Sequence, residues 1–164
     1  MIRMAQYGTK HGHARGKLKS MLDNPGVEVV GLYEPDAARR REVEGGDGPY
    51  GQVRFFDSEE EMLGEDSIVA IASEGRNDES LDQTERIVEA GKHAWYDKPA
   101  GDNWAQWQRV VAEARAKELQ VQMGFMLRYH PGFSQISEWA RSGLLGNIYS
   151  VRAHMSTPKR AWRP

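Results

Sequence analysis

The sequence predicts an α/β fold, a doubly wound parallel sheet, on three observations. Short apolar runs of strand length alternate with segments whose apolar residues recur at helical spacing, from residue 2 to residue 125. A glycine-bearing turn, Gly8-Thr9-Lys10-His11-Gly12-His13, joins the first run to a helix. Later runs end in chemistry-bearing residues, one in Glu34 and another in Asp97-Lys98-Pro99. In an open sheet of this class ligands sit at the carboxyl ends of the strands, so these strand ends are the candidate site.

The elements follow in order. Residues 2–7 are β-compatible, and 14–22 follow the turn as a helix. Asn24-Pro25-Gly26 is a strong turn signal before 27–33, which reads as a buried parallel strand. The opening is therefore β-α-β. A short arginine-rich helix is expected over 37–44, a loop over 45–49 and a strand over 53–56. Asp57 or Ser58 can cap a helix over 59–63, and 67–72 is the next strand. Over 77–90, Leu81, Thr84, Ile87 and Val88 keep helical spacing, and Gly91 stands where a helix C-terminal glycine belongs. Residues 93–96 form a strand that Pro99 closes, because proline lacks an amide hydrogen and is poorly tolerated in a central strand. Asp102 or Asn103 then caps a helix carrying Trp104, Trp107, Val110 and Val111. A further strand is expected over 120–125, a helix from Pro131 to Arg141, and a fresh strand over 146–154. Residues 156–164 are polar and basic and offer that last strand nothing to pair with. It either docks onto another chain or opens a second domain, and the second is favoured, with low amide protection expected in an isolated monomer.

At 164 residues the chain suits one domain with a full core plus a remnant. Its 22 basic residues against 24 acidic ones argue against nucleic acid or an anionic membrane and favour a small-molecule partner. Absent cysteine removes disulfides, thiolate nucleophiles and cysteine metal sites together. No secretory signal or membrane-length apolar stretch is present, and the chain is read as cytoplasmic.

A dinucleotide turn uses glycines so that backbone can approach the pyrophosphate, with helix amides supplying donors. Gly8 fits its first position, but Lys10 and His13 stand where the second and third glycines belong. Glu34, at the end of the second strand, can accept the hydroxyls of an adenosine ribose and would repel a 2′-phosphate, which favours NAD over NADP. Arg39, Arg40 and Arg41 could soften that preference but are read as a solvated helix face. The bland alternative makes the turn an ordinary β-α connection, Glu34 an exposed carboxylate, Lys10 with Arg15, Lys17 and Lys19 a wet helix face, and Lys98 a surface lysine paired with Asp97. His11 and His13 raise a metal question. No acidic partner lies at useful spacing, and no metal is expected.

The chain resembles the glucose-fructose oxidoreductase, inositol dehydrogenase and MocA family, Gfo/Idh/MocA. Three ordered signals carry the likeness: YDKPAG after EAGKHAWY, which looks like the family's Glu-Lys-Pro motif; the early GTKHGHA; and GFMLRYHPGF followed by SGLLGNIYSVRAHMS. The resemblance implies a Rossmann dinucleotide-binding domain over 1–125, then a connecting helix and the start of a C-terminal substrate domain over 126–164. It implies an NAD- or NADP-dependent oxidoreductase of sugars, inositols or related polyols. Carried over by position, Gly8, Thr9, Lys10, His11, Gly12 and His13 would hold the pyrophosphate and Glu34 the ribose. Ser73 and Glu74 would end the fourth strand beside the cofactor, and Asn77 would start the next helix. Lys98 would be the motif lysine, contacting cofactor and substrate, with Asp97 in the glutamate position orienting it. Arg128, Tyr129 and His130 would face the inter-domain region and touch substrate, or serve as packing and hinge residues. Pro99 could follow a cis peptide bond. The resemblance leaves room for a homo-oligomer of the complete protein.

The reaction so implied is reversible hydride transfer between a secondary alcohol carbon and nicotinamide, with Lys98 stabilising charge on the reacting oxygen. Two rivals stay open: a nucleotide-binding module without catalysis, and a relative that uses transient oxidation for elimination or glycoside cleavage.

Overall fold

The computed structural model describes residues 1–154, and the chain divides into two compact units, Met1–Phe125 and Met126–Pro164. The first unit is built on five parallel strands: β1 (Ile2–Tyr7), β2 (Val27–Tyr33), β3 (Ala70–Ser73), β4 (His93–Tyr96) and β5 (Val121–Met123). Their order across the sheet is β2-β1-β3-β4-β5, the doubly wound pattern in which the chain moves outward from β1 in one direction and from β3 in the other.

Alternation along each strand fills both faces of the sheet. Ala5, Ile71 and Ala94 point to one side, Met4, Ala72 and Trp95 to the other. On the second side α1 (Ala14–Leu22) contributes Leu18 and Met21, and α2 (Ala37–Val43) contributes Val43. The opposite side is covered by α3 (Glu59–Leu63), α4 (Ser80–Glu89) and α5 (Trp104–Ala116), through Met62, Leu81, Ile87, Val88, Val110 and Ala114. The caps follow the expected chemistry: Ser58 accepts the Glu61 amide of α3, Asn103 accepts the Gln106 amide of α5, and Asp36 accepts the amides of Ala38 and Arg39 in α2.

Several expected boundaries move. Residues 53–56 form no strand, only a single parallel bridge between Leu32 and Phe55, because a 3-10 turn (Pro49–Gln52) delivers the chain late and the Ser58 cap removes it early. Glu74 thus follows the third strand rather than a fourth. Strand β3 begins at Ala70, since Ser67 and the Ile68 amide are held in a turn by Glu65. Helix α4 begins at Ser80, so Asn77 lies in the preceding turn, exposed, and does not start the helix.

The second unit has a 3-10 turn (Met126–Tyr129) and α6 (Pro131–Arg141), which His130 caps by accepting the Gly132 amide at 3.2 Å. No residue of α6 is buried, and Phe133, Ile136 and Trp139 are exposed. Over 146–154 no strand forms, contrary to expectation: the alternating pattern is present, but among the described residues of the unit no neighbouring strand offers it a ladder. The polar stretch 156–164 lies outside the described residues.

Candidate functional site

The site lies where β1 and β3 run side by side and their connections diverge. Tyr7 and Ser73 are register partners, so the residues just beyond them meet. Glu74 donates its amide to the Tyr7 carbonyl at 2.7 Å, and His11 donates its own to the Glu74 carbonyl at 3.0 Å. Gly8 takes the tight turn at φ +84°, and a Cβ there would fall 2.9 Å from the Gly75 nitrogen, so no other residue fits without shifting backbone.

Beyond Gly8 the turn is tied to the end of β2. The Thr9 hydroxyl donates to Glu34 Oε2 at 2.6 Å, and the Asp36 amide donates to Glu34 Oε1 at 3.0 Å. Thr9 and Glu34 are both buried, which corrects the bland picture of an exposed carboxylate. Each Glu34 oxygen keeps a lone pair for a further donor. Arg39 is not on a solvated face either: its Nε donates to Thr9 Oγ1 at 3.1 Å. Arg15, Arg39, Gly12 and Tyr50 line a cavity of about 410 Å³ against Thr9 and His11.

The two residues that replace glycines leave the turn open. Lys10 swings outward, its Nζ 2.9 Å from Asp36 and 3.7 Å from Glu79. Its hydrogen bond and the α2 amides hold the Asp36 carboxyl down at about 2. His13 leans away toward Asp97. Among the described residues the amides of Lys10 and Gly12 donate to no protein acceptor, so they are free to meet an anion just before α1. By this measure the residues present fit a dinucleotide pyrophosphate.

Behind the turn lies a charged cluster. Asp97 Oδ2 is 2.7 Å from His13 Nδ1 and 3.7 Å from His11 Nδ1, while its Oδ1 accepts the Lys98 amide at 3.0 Å. Burial opposes ionisation of Asp97, but the His13 hydrogen bond, the Lys17 charge and the Lys98 amide outweigh it and hold the carboxyl below its ordinary value. Partial burial pushes the His11 imidazole down, with Asp97 pulling the other way. Lys17 and Glu74 form a buried ion pair, and the Lys17 ammonium also sits 4.6 Å from the centroid of the Trp95 ring. Burial pushes the Glu74 carboxyl up against the opposing pull of Lys17.

Sequence reasoning missed Lys17, naming it only in the bland alternative of a wet helix face. The signal was available, because Ala14, Lys17, Leu18 and Met21 form the inward stripe of α1 at helical spacing. The pairing of Asp97 with the Lys98 side chain, which the bland alternative held, does not occur. Asp97 is turned inward, whereas Lys98 is exposed and makes no ion pair among the described residues. The Lys98–Pro99 peptide bond is cis. Ser73 is committed to the interior, donating to Gln83 Oε1 at 3.0 Å. Arg128, Tyr129 and His130 belong to the second unit, where all three are exposed.

This geometry can be set beside known proteins. The model of an oxidoreductase family with an NAD-binding Rossmann fold, Gfo/Idh/MocA, matches residues 3–125. The chain belongs to the Gfo/Idh/MocA family. Among curated members it is 30% identical over 123 residues to inositol 2-dehydrogenase 3 of Saccharopolyspora erythraea, covering 74% of this chain and 35% of that protein. It is 23% identical over 139 residues to the rhizopine catabolism protein MocA of Rhizobium meliloti, covering 85% of this chain and 41% of that one. The 3-ketoreductase KijD10 of Actinomadura kijaniata, solved with NADP and TDP-benzene, shares the fold at a TM-score of 0.69 and 22% identity, over 87% of this chain and 43% of that one. The chain therefore spans less than half the length of these relatives. As a Gfo/Idh/MocA member it has the family's NAD-binding fold, and among the described residues no helix is long and apolar enough to cross a membrane.

Proposed function

We propose that this chain is the dinucleotide-binding part of an oxidoreductase that transfers a hydride between nicotinamide and a secondary alcohol carbon of a sugar, inositol or related polyol. The observation that carries the reading is an exposed lysine without an ion-pair partner among the described residues, Lys98, standing past the end of β4 in the unit that holds the Gly8 turn and Glu34. Relatives named inositol dehydrogenase and sugar 3-reductase support the substrate class.

When bound, the dinucleotide supplies the hydride acceptor or donor. The chain's own residues do the rest. The Lys10 and Gly12 amides receive the pyrophosphate, and the remaining lone pairs of Glu34 accept ribose hydroxyls. A 2′-phosphate would meet the Glu34 charge, so NAD is preferred over NADP. Lys98 Nζ donates a hydrogen bond to the reacting oxygen and stabilises the negative charge that develops there as the hydroxyl proton leaves to solvent, a charge that is discharged when the carbon gives up hydride and the oxygen becomes a carbonyl. Asp97 acts through the backbone, its Oδ1 on the Lys98 amide positioning the lysine rather than pairing with its ammonium.

The test is NADH formation, from NAD and a panel of inositols and aldoses, by the chain joined to the C-terminal substrate domain of a family member. Turnover with any of them supports the reading. A joined protein that binds NADH yet oxidises none makes the chain a nucleotide-binding module, and the catalytic part of the proposal fails.

A further inference from the structure

We propose that His11, His13 and Asp97 form a binding site for one divalent transition-metal ion, with zinc the best chemical match. The ligand atoms, one from each residue, lie within 4.8 Å of one another. Zinc holds imidazole nitrogen at about 2.0–2.1 Å and carboxylate oxygen at about 2.0–2.2 Å, which at tetrahedral angles sets ligand atoms roughly 3.3–3.5 Å apart. His11 Nδ1 and Asp97 Oδ2 are already near that spacing at 3.7 Å. The His13–Asp97 pair, at 2.7 Å, opens to it by a displacement of under about 1 Å. His13 can make that movement because its side chain is 56% exposed.

The surroundings favour a cation of this kind. Two imidazoles with one carboxylate select a borderline first-row ion over magnesium or calcium, which demand oxygen. Lys17, the nearest ammonium, is neutralised by Glu74 and stands 4.0 Å from Asp97, so Asp97 carries the uncompensated charge of the cluster. The Lys98 amide holds Asp97 Oδ1 and leaves Oδ2 aimed at both histidines. Glu74 Oε2, fully buried and 3.5 Å from His11 Nδ1, is a second carboxylate at the edge of the cluster, and the His13 amide donates to that same nitrogen at 3.2 Å, a contact the ion replaces. Three protein ligands leave a fourth position for a water or another oxygen ligand, the arrangement of an open rather than a purely structural site. The site uses side chains only and needs no dinucleotide, so it stands or falls apart from the reading above.

The test is calorimetric titration of the chelator-stripped full chain with zinc chloride, with no nucleotide present, repeated with cobalt(II) for its tetrahedral absorption bands. One equivalent should bind at micromolar affinity or tighter. His13→Gln and His11→Gln should each weaken binding by about 100-fold or more, since even outer partners of a metal are worth about 10–100-fold. His130→Gln, in the other unit, should bind as the parent does. His13 is exposed enough that its variant will fold, and circular dichroism checks this. Absence of saturable one-equivalent binding, or binding that survives both His11→Gln and His13→Gln, overturns the proposal.

Discussion

Asp97 Oδ2 lies 2.7 Å from His13 Nδ1 across 84 residues of chain. The contact joins the end of β4 to the turn after β1, and it draws the carboxylate of the Asp97-Lys98 pair away from the lysine beside it. Lys98 is left exposed and without an ion-pair partner among the described residues, which suits the role proposed for it.

Lys98→Ala should therefore separate chemistry from binding. In a complete two-domain version, turnover of the polyol should fall by about 100-fold or more, as for loss of a positioned proton-donating group, while NADH affinity moves less than about threefold. Steady-state kinetics beside a direct binding titration checks both. Turnover within a few-fold of the parent would remove Lys98 from the mechanism.

Glu34→Ser should shift cofactor preference toward NADPH. The carboxylate that repels a 2′-phosphate is gone, and Arg39, at 3.1 Å from Thr9, is left near the vacated position. The ratio of NADPH to NADH affinity should rise by about tenfold, or roughly 1.4 kcal/mol. An unchanged ratio would mean that Glu34 serves Thr9 and the Asp36 amide alone.

Lys17→Met should destabilise the fold, since it leaves Glu74 buried without its partner, a change worth about 3–5 kcal/mol when the remaining group stays charged. Burial already raises the Glu74 carboxyl above its ordinary value, and losing Lys17 raises it further. A carboxyl with a raised folded value favours the folded state below its ordinary value, and that contribution is lost as pH rises through the folded value. Chemical denaturation should thus find the variant's deficit larger at pH 8 than at pH 5. A deficit independent of pH would show that Glu74 is not the group left behind.

Asp36→Asn isolates the Lys10 pair, because asparagine caps a helix as well as aspartate does. The folded Asp36 carboxyl is held at about 2 against an ordinary 3.8, so its contribution is present above 3.8 and is lost as pH falls toward 2. The stability difference between parent and variant should shrink over that window. A constant difference would assign the effect to the cap instead.

What was legible in the sequence was local. The bounds of α1 and α3 follow from apolar spacing and turn or cap residues, and the βαβ order follows from the alternation of short apolar runs with helical segments. The strand ends bearing Gly8, Glu34 and Lys98 were legible for the same reason. The expected strand over 146–154 failed because alternation describes a strand's faces but does not supply a partner. Asp97 with His13, and Lys17 with Glu74, join distant residues and left no signature in spacing. Only the inward stripe of α1 hinted that Lys17 would be buried.

The most direct measurement of the central claim is a titration of the purified chain with NADH and with NADPH, read by energy transfer from tryptophan to the reduced nicotinamide. The account predicts saturable binding that is tighter for NADH. Binding of neither nucleotide would contradict it, because the free amides of Lys10 and Gly12 and the carboxylate of Glu34 would then not constitute a dinucleotide site.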